Sequence, residues 1–80
     1  MSDTTEFKGK HYPSWHGSPF DRGTADSWYD RPQSPHYWPD GTMHGDKIVP
    51  PKMKPSEVES YLAGYEYNEQ SGGKKDYGRD

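Results

Sequence analysis

The chain has 80 residues, of which 26% are hydrophobic and 15% aromatic, and a formal net charge of −3. Its length and its scarcity of aliphatic side chains leave room for at most one small domain. The absence of cysteine excludes disulfides and thiolate metal sites. No apolar run approaches the ~20 residues of a membrane span and no apolar leader stands near the start, so we expect a cytoplasmic protein without membrane contact.

The first segment, residues 1–17, shows neither a helical nor a strand period and is interrupted by Gly9, Pro13 and Gly17. We therefore expect an extended N-terminal arm over 1–17. The rings of Tyr12 and Trp15 suggest that this arm lies against the core.

A first helix is predicted over about 19–30. Ser18 offers a capping hydroxyl, Pro19 suits the first helical position, and Asp21 places a carboxylate three residues after the cap. Pro32 ends the helix because proline disfavours the helical conformation in the residue before it. The helical period predicts a buried stripe of five residues: Phe20, Gly23, Thr24, Ser27 and Trp28.

A second helix is predicted over about 55–70, after a connection that holds most of the prolines and the turn sequence at 39–41. Pro55 stands at its first position and Glu57 in its first turn, where a carboxylate suits the helix dipole. Its apolar residues recur at helical spacing: Val58, Tyr61, Leu62 and Tyr65. Glycines at 72 and 73 stop the helix, and residues 72–80 are expected to form a flexible tail.

Each predicted helix contains an interior glycine, Gly23 or Gly64, which costs ~1 kcal/mol relative to alanine. We expect both to admit large rings of the opposite helix; the alternative is that both are tolerated without a packing role. The predicted fold is small and all-α: residues 18–71 form two short helices packed as a hairpin, with an aromatic mini-core, a long Pro/Gly-rich connection and irregular termini. The residues predicted to pack the helices are Phe20, Gly23, Tyr61, Leu62, Gly64 and Tyr65.

Two stretches resemble the ribosome modulation factor family. The stretch Phe20-Asp21-Arg22-Gly23, followed by Ala25, by Arg31-Pro32 and by Pro35-His36-Tyr37, resembles the first half of its pattern. The stretch 61–65, an aromatic, two residues, glycine and an aromatic, resembles the second half. The resemblance implies a two-helix hairpin that binds the small ribosomal subunit and silences translation.

The chain also resembles small proteins of tailed bacteriophages, which share the opening at 18–23 and a closing Asp76-Tyr77-Gly78. This resemblance implies a phage-encoded protein. Members of the ribosome modulation factor family are strongly basic, whereas residues 56–70 carry four glutamates and no lysine or arginine. Affinity for rRNA comes largely from basic side chains that neutralise phosphate groups, and this acidic face offers none. The ribosome therefore ranks second as a partner.

Metal binding and catalysis find little support in the sequence. The four histidines, His11, His16, His36 and His44, lack the spacing of a metal site, and His36 fits an aromatic cluster better. The carboxylates Asp21, Asp26 and Asp30 are typical of a solvated acidic face. So small a chain can hardly enclose a catalytic cavity. We expect no enzyme, no cofactor and no small-molecule substrate.

The remaining interpretation is protein binding, because tryptophan, tyrosine and arginine dominate the centres of interfaces. We expect a host protein to be bound, and inhibited, through Trp28, Tyr29, Arg31, Tyr37 and Trp38. The glutamates of the second helix either steer the chain toward a basic surface or form a solvated face. The alternatives are a translation modulator on the small subunit or its rRNA, with rings stacked on bases, and a structural piece ordered only within an assembly.

Overall fold

The computed structural model describes residues 4–41 and 45–71. In chain order they form strand β1 (Thr4–Phe7), strand β2 (Lys10–Pro13), helix α1 (Pro19–Trp28) and helix α2 (Pro55–Ser71). The two helices were predicted, but the two-stranded antiparallel sheet was not, so the all-α prediction is wrong in that respect. The predicted tail at 72–80 and His44 lie outside the described residues.

The hairpin of β1 and β2 replaces much of the predicted extended arm. Phe7 lies opposite Lys10, and the two-residue loop between them has positive φ at both Lys8 (+53°) and Gly9 (+80°). Such loops match the twist of the strands, and glycine at the second position adopts this conformation without strain. Strands of four residues are too short for the period-2 pattern to stand out in the sequence.

The aromatic mini-core lies where this hairpin covers the helices. The rings of Tyr12 and Phe20 stack with centroids 5.3 Å apart, and Tyr67 contacts both Phe20 (5.5 Å) and Phe7 (5.6 Å, edge to face). Phe20 is 1% exposed. The helices alone supply too few large side chains for a core, and the rings of Phe7 and Tyr12 from the hairpin complete it.

Helix α1 begins and ends through local hydrogen bonds. The hydroxyl of Ser18 accepts from the Asp21 amide at 3.2 Å, as the sequence predicts. At the other end Asp30 has φ +59°, and the Asp30 and Arg31 amides donate to the Ser27 and Asp26 carbonyls. This pattern is a Schellman motif with aspartate in the position that glycine usually holds. It ends the helix two residues earlier than predicted and turns Arg31 back toward the molecule.

The two interior glycines face each other's helix at the α1–α2 crossing. A Cβ atom on Gly23 would lie 2.1 Å from the Tyr61 carbonyl oxygen, and one on Gly64 would lie 2.1 Å from the Phe20 carbonyl oxygen. We expected each glycine to make room for an aromatic ring of the opposite helix, and this is wrong. Each glycine makes room for the backbone of the opposite helix instead. Contact between backbones demands glycine more strictly than contact with a ring, since a backbone has no rotamer by which to move aside.

Two residues assigned to the interior lie on the surface instead. Trp28, placed in the buried stripe of α1, is 42% exposed, and Leu62, predicted to pack the helices, is 40% exposed. Leu62 borders a groove beside the hairpin, together with Phe7 and Val58. One turn after Gly23 the small Ser27 is fully buried, and its hydroxyl accepts a hydrogen bond from Asn68 and donates one to Glu69 of α2.

Candidate functional site

A buried polar cluster joins the end of α1 to α2. The Tyr61 hydroxyl donates to a carboxylate oxygen of Asp26 and accepts from the Ser34 amide at 2.9 Å. Asp26 is 3% exposed and Tyr61 0%. Burial and the hydrogen bond to Asp26 raise the pKa of Tyr61 above its ordinary value, so the hydroxyl keeps its proton. The cluster contradicts the solvated acidic face predicted for Asp26.

His36 extends this cluster as a neutral ring. Its Nδ1 donates to the Ser34 carbonyl oxygen at 2.7 Å, and its Nε2 accepts from Arg22 Nε at 3.3 Å. Since arginine can only donate, the ring proton belongs on Nδ1. Burial lowers the pKa of His36 below its ordinary value of 6.5, which agrees with the neutral form. The ring also lies 5.7 Å from that of Tyr61, in the aromatic setting predicted for it.

This cluster forms the floor of a pocket of about 310 Å³ between the end of α1 and the connection. The pocket is bordered by Arg22, Asp26, Arg31, Pro32, Ser34, His36, Trp38 and Lys47. Among these described residues three side chains are cations and one is a carboxylate, which together carry a charge of +2 on a chain whose net charge is −3. The Lys47 side chain forms no ion pair with any residue in 4–41 or 45–71.

Hydrogen bonds to backbone carbonyl groups hold the walls of this pocket in place. The Tyr65 hydroxyl donates to the Arg31 carbonyl oxygen, and the Trp38 amide donates to the Gly17 carbonyl oxygen at 2.8 Å. An isolated antiparallel bridge between Tyr37 and Ile48 brings the segment with Lys47 beside the segment with Trp38. A proline-rich connection without long regular structure is thus anchored at several points along its length.

Two exposed rings stand at the end of α1, shortly before Arg31, which borders this pocket. Trp28 is 42% exposed and Tyr29 37% exposed. The guanidinium of Arg31 lies over the Tyr29 ring, 4.8 Å from its centroid, and its Nη1 is 3.4 Å from Asp26 Oδ1. Trp28, Tyr29 and Arg31 follow one another closely at the end of α1, and we call these three residues the α1-end surface.

The structure does not bring the five predicted contact residues into one patch. Trp38 borders the charged pocket with Arg31, whereas Tyr37 borders a separate groove of about 400 Å³ with Tyr12 and Trp15. Residues 37 and 38 point to opposite sides because successive side chains alternate along extended backbone. Burial and a hydrogen bond with Glu57 raise the pKa of Tyr37, so this hydroxyl is already engaged within the chain.

The acidic face of α2 is largely engaged within the molecule. Lys10 Nζ lies 2.6 Å from Glu59 Oε2, and Lys8 Nζ lies 2.8 Å from Glu66 Oε2. The hydrogen bond between Lys10 and Glu59 raises the pKa of the lysine and lowers that of the glutamate. The other two glutamates, Glu57 and Glu69, accept from the Lys54 amide and from the Ser27 hydroxyl. These contacts weaken the case for steering toward a basic partner.

The sequence did not single out Lys47 or the pairing of Asp26 with Tyr61. Within the described parts of the chain, no three histidine or carboxylate side chains converge as a group that could hold a metal ion. Neither α1 nor α2, the helices of the described segments, is long and apolar enough to cross a bilayer. No protein family, curated protein or solved structure matches the chain, and the resemblance to ribosome modulation factor stays a prediction.

Proposed function

We propose that this chain is a small non-enzymatic protein that binds another protein through the α1-end surface and inhibits it. The observation that carries the proposal is the exposure of Trp28 and of Tyr29, whose ring lies against the guanidinium of Arg31. The chain has few large apolar side chains and uses Tyr12, Phe20 and Tyr61 inside. Exposed rings in so small a protein favour an interface, and tryptophan, tyrosine and arginine are the residues most often found at binding hot spots.

A protein partner is favoured over rRNA by the positions of the basic residues. Lys8 and Lys10 form ion pairs with glutamates, and Arg22 is 9% exposed. Binding to a phosphate backbone needs several accessible cations along one face. The resemblance to bacteriophage proteins favours a protein of the bacterial host, in its cytoplasm, as the partner.

The test is a capture experiment with immobilised protein and a nuclease-treated bacterial lysate. We compare the parent chain, a Trp28→Ala/Tyr29→Ala variant and a Trp15→Ala control. Trp15 is 36% exposed, so the control removes a ring of the same kind and similar exposure from another part of the surface. Far-UV circular dichroism establishes that each variant is folded.

We expect one stoichiometric host protein to be retained by the parent and by Trp15→Ala, and lost from the double variant. Equal retention by the double variant and the control would refute the assignment of the α1-end surface. Co-sedimentation with small ribosomal subunits that falls steeply with salt would instead support the translation modulator. Addition of the purified partner to its own activity assay then tests inhibition.

A further inference from the structure

We propose that the pocket between α1 and the connection binds a phosphate monoester attached to a flat ring. Three cationic side chains from separate parts of the chain border it: Arg22 from α1, Arg31 from the turn after it, and Lys47 from the connection. The exposed guanidinium of Arg31 can form paired hydrogen bonds to phosphate oxygens, and the ammonium of Lys47 adds a further charged donor. Arg22, which is buried and already hydrogen-bonded to His36, contributes its positive charge from the floor of the pocket. This proposal concerns a ligand of the isolated chain and does not depend on the protein partner.

The charge of the pocket selects a dianion. The three cations and the Asp26 carboxylate sum to +2, and His36 adds no charge in its neutral form. A phosphate monoester carries a charge of about −1.5 to −2 at neutral pH because its second pKa is about 6. A carboxylate would neutralise only half of this local charge, and a neutral ring none of it.

The pocket is built before any ligand arrives. Arg22 is nine-tenths buried, and its Nε donates to His36, whose other nitrogen donates to the Ser34 carbonyl oxygen. Asp26 is held by Tyr61. Polar groups on a floor fixed in this way lose little conformational entropy when a ligand binds, which favours affinity.

The size and the apolar walls of the pocket indicate what group is attached to the phosphate. Its volume of about 310 Å³ is at the lower end of small-molecule sites, which span roughly 300–1,000 Å³. Trp38 and Pro32 supply flat apolar surface on which a ring can stack. A single ring with one phosphate therefore matches this site better than inorganic phosphate or a larger polyanion.

The test is a titration of the isotopically labelled protein with phenyl phosphate, followed by nuclear magnetic resonance. We expect saturable shifts of the His36 ring and the Trp38 indole at millimolar ligand or below. We also expect weaker binding of inorganic phosphate and no binding of phenol. Absence of saturation at 10 mM phenyl phosphate, or shifts confined to other residues, would overturn the proposal.

Variants locate the binding. Lys47→Gln should weaken the affinity for phenyl phosphate about tenfold, the usual effect of losing one charged hydrogen bond. Lys52→Gln removes the same charge from an exposed position of the same segment, outside the pocket, and should leave the affinity unchanged. If Lys47→Gln unfolds, Arg31→Gln is measured in its place and should likewise weaken the affinity for phenyl phosphate. Equal affinities in Lys47→Gln and Lys52→Gln would refute the site.

A further comparison distinguishes the two sources of such a group. A short peptide with one phosphotyrosine carries the same ring and phosphate as phenyl phosphate, joined to a backbone. Tighter binding of phenyl phosphate assigns the pocket to a free small molecule. Tighter binding of the peptide assigns it to a phosphorylated side chain, and either result supports the pocket as a phosphate site.

Discussion

The contact between Gly23 and Gly64 yields the sharpest prediction, tested by Gly64→Ala. The added methyl group would lie 2.1 Å from the Phe20 carbonyl oxygen, whereas ordinary contacts begin near 3.4 Å. The helices must therefore separate by about 1.3 Å, the difference between these two distances. Neither atom belongs to a side chain that could rotate away, so the whole crossing has to move.

The size of the effect follows from two opposing terms. Overfilling a packed interior costs typically about 1–3 kcal/mol, and a rigid clash of backbone with Cβ falls at the upper end. Alanine regains about 1 kcal/mol of helix propensity. We therefore expect Gly64→Ala to lower the free energy of unfolding by about 2 kcal/mol. A chain of this length has roughly 4–12 kcal/mol in total, so the loss is readily measured.

Urea unfolding followed by far-UV circular dichroism gives the free energy, with Gln70→Ala as a control at an exposed position of the same helix. Gly23→Ala should cost a similar amount, because its methyl group would lie 2.1 Å from the Tyr61 carbonyl oxygen. The double variant should cost less than the sum of the two, since helices separated for one methyl group already accommodate part of the other. A Gly64→Ala protein as stable as the parent would refute backbone contact at this crossing.

Three further predictions concern the N-terminal cap of α1 and the buried polar cluster. Tyr61→Phe preserves the ring but leaves the Asp26 carboxylate and the Ser34 amide without their shared hydroxyl, so it should destabilise the protein by about 2–3 kcal/mol in urea unfolding. Ser18→Ala removes the cap of α1 and should cost about 1 kcal/mol by the same measurement; no change would show that the cap hydrogen bond is not needed. Burial lowers the pKa of His36 in the folded state, so the unfolded chain binds more protons as pH falls below 6.5, and stability should decline from there through the folded pKa. The urea midpoint should therefore be lower at pH 5.5 than at pH 7.5, and His36→Asn should remove the part of this decrease that comes from protonation of His36. An equal decrease in the parent and in His36→Asn would contradict the assignment to His36.

Several features of the site could have been read from the sequence, and others could not. The opposite orientations of Tyr37 and Trp38 follow from the alternation of extended backbone, and that pattern was available. The cluster around Asp26 was not. The two hydrogen bonds of the Tyr61 hydroxyl join residues that are separated by 27 and by 35 positions in the sequence. No local pattern specifies which tyrosine reaches which carboxylate. Lys47 likewise becomes part of the pocket only through the pairing of Tyr37 with Ile48.

The sequence by itself determined where the helices begin and that each carries a glycine at mid-length. Helix starts depend on hydrogen bonds and steric preferences within four residues, as at Ser18 and Pro19, so local chemistry specifies them. Only the tertiary structure decided that Gly23 and Gly64 contact backbone, that the hairpin completes the aromatic core, and that Asp26 is buried. These features depend on which distant segments meet. That choice is made by the packing of the whole chain, where a missing methyl group lets one backbone approach another and a hydroxyl meets a carboxylate away from water.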